Sequence, residues 1–476
     1  MEWLGTSEYD IARLLFQRGL AAIYLVAFVV ALRQFRPLLG ERGLLPVPHY
    51  VAVVPFRSAP SLFHWRYSDR LLAAVAWTGI ALSLFALAGL TDRVPLTVAV
   101  LVWLVLWALY LSIVNVGQTF YAFGWESLLC EAGFLAIFLG NATVPVPLPL
   151  VILARWLVFR VEFGAGMIKM RGDRCWRDLT CLDHHHETQP MPNPLSWRFH
   201  HLAKRVHRLE VLGNHVAQLV MPFLLFLPPP FPVIGGAAIA GTQSWLLLSG
   251  NFAWLNWTTI VVTVFAFDDA TLGGVLPLDA AAGPHAFPFD VLVVLYTALV
   301  LFLSYRPARN LVARRQLMNA SFDPLHLVNT YGAFGSVTKE RYEVVIEGTA
   351  DAVLTGATEW REYEFKGKPG DVRYRPRQFA PYHLRLDWLM WFAAMGPAIY
   401  YEWFVPLLAR LLAADRPTLR LLRHDPFDGR PPRFVRARLY LYRYTTPAER
   451  RATGAWWART PAGEYVRPLS LRSFSP

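Results

Sequence analysis

The chain reads as a mainly α-helical, multi-pass membrane protein of about eight or nine spans, followed by a small β-rich C-terminal domain. Three observations predict this. Hydrophobic residues make up 55% of its 476 residues and charged ones 17%, against about 45–50% and about 25% in a soluble domain. The apolar excess lies almost wholly before residue 310, in runs of about twenty residues, the length that crosses a hydrocarbon core of about 30 Å. Beyond 310 the pattern turns to alternating β-branched and aromatic residues, as in strands. A cytosolic globular enzyme is excluded.

The apolar runs fall at 14–32, 71–90, 94–116, 119–140, 146–164, 209–228, 232–249, 251–267 and 289–304. Two of them, 119–140 and 209–228, carry several polar residues and are expected to face other helices rather than lipid. The N-terminus, MEWLGTSEYDIAR, is acidic, and the first apolar run is too long for a signal h-region, so no cleavable signal is expected. The formal charge of +12 comes mostly from 41 Arg, with only 5 Lys. It sits in short loops between apolar segments rather than on one patch, which argues against nucleic-acid binding. Residues 33–70, 169–208 and the stretch after 304 hold the basic side chains, while 268–288 holds Asp268, Asp269 and Asp279 and no Lys or Arg. With nine spans every basic loop falls on one side, which the positive-inside rule assigns to the cytoplasm. The Arg, Ala and Pro bias is that of a GC-rich genome.

The expected organisation is a helical transmembrane domain over 1–310, with a long polar loop at 165–208, and a β-rich, membrane-associated domain over 311–476. RYEVVIEGT, EWREYEFKG and RFVRARLYLYRY supply its strands. Between them, 383–413 reads as a Trp-rich amphipathic helix lying at the bilayer interface. The cysteines, Cys130, Cys175 and Cys181, show no CxxC spacing, and no disulfide framework is expected.

Charged residues inside apolar segments are the first candidates for chemistry, since each costs at least about 2.5–3.5 kcal/mol there unless paired. Glu126 and Glu131 precede the turn near 140, and Arg155, Arg160 and Glu162 follow it. Counting outward from that turn sets Glu131 level with Arg155 and Glu126 level with Arg160. Buried pairs that fix helix register and a functional polar cavity are the competing readings. His207, Glu210, Asn214 and Gln218 draw one polar stripe along a helix, serving either as glue between helices or as the wall of a wet cavity. Lys169 stands at a membrane boundary, where it either snorkels to the interface or acts as a base. The run His184–Glu187 suggests metal, but successive residues do not easily turn three imidazoles onto one ion, and no metal site is expected.

At this loop the sequence resembles the lipase maturation factor family. The matching stretches are FGWESLLCEAGFLAIFLG (123–140), RWLVFRVEFGAGMIKMRGDRCWRDLTCLDHHHETQPMPNPLSW (155–197), LSGNFAWLNWTTI (248–260), NTYGAFGSVTKERYEVVIEGT (329–349), EWREYEFKGKPGD and RPRQFAPYHLRLDWLMWFA. The resemblance implies a multi-pass protein of the endoplasmic reticulum membrane, or of the plasma membrane if the source is bacterial. It implies a chaperone-like partner of a secreted, lipase-like client, with the part after the spans facing the lumen and binding the client. No cofactor and no catalytic residue follow from it. Arg171, Asp173, Trp176, Asp178, Asn251, Asn256, Arg341, Arg361 and Arg377 are the contacts it favours. A shorter stretch, AGMIKMRGDRCW (165–176), is similar to the catalytic-lysine region of vitamin K-dependent carboxylases. The alternative it implies is a membrane enzyme acting on a quinone or lipid substrate, with Lys169 as base and His207 and Glu131 beside it.

Overall fold

The computed structural model describes residues 5–274 and 287–474. Asp279 of the acidic loop lies outside the described residues, as do residues 1–4 of the N-terminal stretch. Among the described residues, five helices are long and apolar enough to cross a membrane: Asp10–Leu39, Asp69–Leu87, Leu96–Asn115, Phe231–Ser249 and the Phe287–Val312 stretch. Their ends follow from local chemistry. Ser68 caps the second helix by accepting the Leu71 N–H at 3.1 Å. Pro95 precedes the third, and Pro232 sits in the first turn of the fourth, where a missing N–H costs nothing.

This is fewer than the eight or nine spans expected, and the polarity of the other runs explains why. The run 119–140 divides into a 3₁₀ turn at Gln118–Tyr121 and a helix of 14 residues, Gly124–Ile137, buried by protein along nearly its whole length. The run 146–164 becomes Leu148–Arg171, 24 residues long, but Arg155, Arg160 and Glu162 make it a core helix enclosed by its neighbours. The run 209–228 is a polar helix, Lys204–Leu219, followed by a separate turn at Met221–Leu224 that carries Pro222. The run 251–267 contains only Leu255–Thr263 and a 3₁₀ turn. Close approach is built in at glycines. A Cβ on Gly133 would collide with the Tyr24 hydroxyl, and one on Gly172 with the Gly335 carbonyl oxygen.

The C-terminal part carries a four-stranded antiparallel sheet in the order Arg361–Glu362, Arg341–Thr349, Phe434–Tyr444, Trp457–Leu469. Arg341 pairs with Tyr442 and Thr349 with Phe434. Two of the expected strands form almost as drawn; of EWREYEFKG only Arg361 and Glu362 do. The strand Trp457–Leu469 was not expected. It holds Pro461 and Pro468, which an edge position tolerates, and irregular register accompanies them.

The single interfacial helix expected over 383–413 is instead broken at Gly396–Pro397 into Arg385–Ala393 and Phe404–Leu412, joined by a 3₁₀ turn. The first piece is not amphipathic in use. Arg385, Leu386, Asp387, Trp388, Leu389 and Met390 are all buried, because the helix is clamped between the sheet and the membrane domain. Gln34 in the first spanning helix donates to the His383 carbonyl at 2.6 Å and accepts the Arg385 N–H at 3.0 Å. Ile399 and Tyr400, at the break, are the exposed part.

Candidate functional site

A cavity of about 840 Å³ opens where the Leu148–Arg171, Lys204–Leu219 and Phe231–Ser249 helices meet the loop after Gly172 and the Arg385–Ala393 helix. Trp125, Phe252, Phe334, Trp388 and Trp391 give it apolar walls, and one side carries a band of polar groups.

That band is assembled from side chains far apart in sequence. Lys169, 5% exposed, donates to Asn214 Oδ1 at 2.7 Å and Gln218 Oε1 at 2.9 Å, with its ammonium 4.9 Å from the centre of the Trp176 ring. Glu162, two turns earlier on the same helix face, accepts from Gln243 Nε2 at 2.5 Å, and Asn256 Nδ2 donates to Gln243 Oε1 at 2.5 Å. Among the described residues, Glu162 Oε2 and Asn256 Oδ1 have no hydrogen-bond partner. Sequence reasoning noticed Glu162 only as an intramembrane charge and passed over Gln243. The available signal was the seven-residue offset between Glu162 and Lys169.

The polar stripe therefore serves several neighbours. Asn214 and Gln218 hold Lys169, and Glu210 Oε1 accepts the Trp245 indole N–H at 3.0 Å. His207 lies 3.3 Å from Asp183 Oδ1 through Nδ1 and 2.9 Å from the Phe199 carbonyl through Nε2. Lys169, Glu210, Asn214, Gln218, Asn256, Arg171 and Trp176 line the cavity; His207 and Glu131 do not. The three residues of the enzyme alternative, Lys169, His207 and Glu131, are not brought to one place.

Each charged residue of these apolar runs is bonded within the protein, two of the carboxylates to an arginine, but not as depth counting paired them. Glu131 joins Arg160, and accepts from the Asn329 N–H at 3.0 Å, the Asn329 side chain at 2.9 Å and the Tyr331 hydroxyl at 2.7 Å. Arg155 instead reaches the Phe265 carbonyl at 2.9 Å, the Leu225 carbonyl at 3.0 Å and the Tyr9 hydroxyl at 2.9 Å. Glu126 meets Arg385 from the C-terminal part at 2.8 Å, together with the Tyr110 hydroxyl. Counting from one turn fails because most of the partners come from segments 70 to 259 residues away.

Several of the remaining candidates fasten the loop. Cys175 and Cys181 form a disulfide, which corrects the expectation of no cysteine pairing; Cys130 is free and buried. Asp173 accepts the Val337 N–H at 2.7 Å, and the Trp176 indole donates to the Phe334 carbonyl at 2.7 Å. Arg171 donates to Gln316 Oε1 at 2.6 Å, and Asp178 makes an exposed pair with Arg174. Asn251 makes four bonds: it donates to the carbonyls of Pro192 at 3.1 Å and Arg377 at 2.9 Å, and accepts from the N–H groups of Phe379 and Ala380. Arg341, 1% exposed, pairs with Glu343 and donates to the carbonyls of Glu187, Gln189 and Pro190. Arg361 is exposed and paired only with its neighbour Glu359, and the Arg377 side chain stacks near Tyr374.

Outside the membrane-spanning helices, burial pushes the His185 imidazole down to about 4 and that of His186 well below its ordinary value. Both rings stay neutral at neutral pH.

Comparison with known proteins gives this architecture a family. The model of the lipase maturation factor transmembrane domain matches residues 11–274, and that of the lipase maturation factor C-terminal domain matches 327–467. Lipase maturation factor 1 of Bos taurus is 43% identical over 98% of this chain and 90% of its own length; that of Homo sapiens is 42% identical over 99% and 90%. Lipase maturation factor 2 of Rattus norvegicus is 28% identical over 96% and 83%. No solved structure matches the chain. An integral membrane chain alike over nearly its full length to these proteins belongs to the lipase maturation factor family.

Proposed function

We propose that the protein is a membrane-embedded, chaperone-like maturation factor that assists folding or assembly of a secreted, lipase-like client. The observation that carries this reading is the 43% identity to a lipase maturation factor over 98% of the chain, which spans both the membrane domain and the sheet. The client-facing side is the side of the loop and the C-terminal sheet, which Asn251 and Arg341 tie together. The Cys175–Cys181 disulfide supports placing that side in an oxidising compartment. That is the lumen of the endoplasmic reticulum, or the outside of the plasma membrane if the source is bacterial. That placement sets aside the charge rule for the basic loop 169–208, where Lys169 and Arg171 are held by the side-chain amides of Asn214, Gln218 and Gln316.

The test is co-expression with a secreted lipase in cells lacking their own maturation factor, reading enzymatic activity per amount of secreted lipase. A gain over empty vector is expected; no gain overturns the reading.

The cavity favours one further use of the same scaffold, a membrane enzyme with Lys169 as base. Lys169→Met distinguishes the two. A catalytic lysine predicts loss of lipase rescue with normal protein levels, whereas a packing lysine predicts rescue in proportion to the protein that folds.

A further inference from the structure

We propose that His186, His207 and Glu210 form a binding site for a divalent transition-metal ion, with zinc the best match to its ligands. One nitrogen of each imidazole and one oxygen of the carboxylate lie within 4.8 Å of one another. Two imidazoles and a carboxylate are a common three-residue zinc set, with the fourth position left to water or another ligand.

Two independent observations point to a ligand here, and a third residue completes the set. His186 is 2% exposed, yet neither ring nitrogen has a hydrogen-bond partner among the described residues. A buried imidazole left so is costly unless something else occupies it. Glu210 Oε2 is likewise buried and has no partner among the described residues, while Oε1 is held by the Trp245 indole, which orients the carboxylate. Both His207 nitrogens face acceptors, Asp183 at 3.3 Å from Nδ1 and the Phe199 carbonyl at 2.9 Å from Nε2; the longer contact to Asp183 is the one the ion would replace, leaving the Phe199 carbonyl as the outer support that metal-bound histidines use. His207 and Glu210 are three residues apart on one helix, hence on one face. His186 comes from the short helix Leu182–Thr188.

The ion therefore does not come from the run of three histidines acting together. His185 packs against Phe252 and Phe334, while His186 faces His207 and Phe199. Tetrahedral zinc sets its ligand atoms about 3.4 Å apart, so the widest pair must draw in by about 1.4 Å, within reach of side-chain rotation. His186 and Glu210 line the cavity, so the open position faces it. Bound there, the ion would pin the loop to the Lys204–Leu219 helix and present a Lewis acid to a carbonyl or carboxylate group entering the cavity.

This proposal does not rest on the maturation reading. Its test uses the full, tag-free chain in detergent, stripped with chelator and titrated with Zn²⁺ by calorimetry and with Co²⁺ by absorption. One ion per chain is expected, with an intense, four-coordinate Co²⁺ spectrum. His186→Gln and His207→Gln should weaken binding at least 100-fold, Glu210→Gln should weaken it less, and His184→Gln should leave it unchanged. Should the histidine variants fail to fold, the wild-type Co²⁺ spectrum decides. No stoichiometric uptake, a weak six-coordinate spectrum, or undiminished uptake by a folded His186→Gln protein overturns the site, and the buried nitrogens then belong to ordered water.

Discussion

Arg385 and Glu126, 259 residues apart, meet at 2.8 Å with neither side chain exposed. The guanidinium also donates to the Phe120 carbonyl at 2.7 Å and lies over the Tyr121 ring. This pair locks the C-terminal part into the membrane domain.

Removing one partner leaves a buried charge alone, which costs about 3–5 kcal/mol. Arg385→Met or Glu126→Ala should therefore destabilise the chain by that order in denaturant unfolding in detergent. The double variant Glu126→Ala/Arg385→Met should recover most of the loss, since no uncompensated charge remains. Additive losses would show that the two sites are not coupled.

Asn251 bridges the 192 and 377–380 segments with four hydrogen bonds. Asn251→Ala leaves two carbonyls and two N–H groups without it, at about 1–3 kcal/mol for each group that water does not reach. Limited proteolysis should cut the variant between 327 and 380 faster than the wild type, with far-ultraviolet circular dichroism unchanged. Equal cutting rates would remove Asn251 from the docking account.

The disulfide makes a topological prediction. In intact bacterial cells, or in microsomes permeabilised after the cytosolic side has been blocked, an impermeant thiol reagent should label Cys175 after reduction and not before, while Cys181 is buried. Labelling from the cytosolic side without reductant would place the loop opposite. Replacing both with Ser should cost about 2 kcal/mol, the loop-closure value for a link spanning six residues.

His185 gives a pH dependence whose sign follows from its depressed value. The native ring holds its proton only below about 4, chiefly because burial strips its water and secondarily because of the Lys169 charge, whereas the unfolded ring takes one up near 6.5. Between those values the unfolded state binds more protons, so stability falls as pH drops from about 6.5 to 4, by on the order of 3 kcal/mol. His185→Phe should flatten that part of the stability–pH curve. An unchanged slope would assign the acid sensitivity to other groups.

Sequence alone determined the family, the helical membrane class, the change of character near residue 310 and two of the four strands. Each of these is written in local composition or periodicity. It also singled out Lys169, the Asn214–Gln218 stripe and the charged residues of 119–164, because a charge in an apolar run stands out by its cost. The partners of those residues were decided by the tertiary structure. Arg160 rather than Arg155 meets Glu131, Arg385 reaches Glu126 from the other domain, and Cys175 finds Cys181 without a recognisable spacing. Hydropathy likewise cannot tell a lipid-facing run from a core helix, and the short helices 124–137 and 255–263 are apolar because protein surrounds them. Which buried charges meet depends on contacts spanning up to 259 residues, and no pattern within a twenty-residue window carries that information.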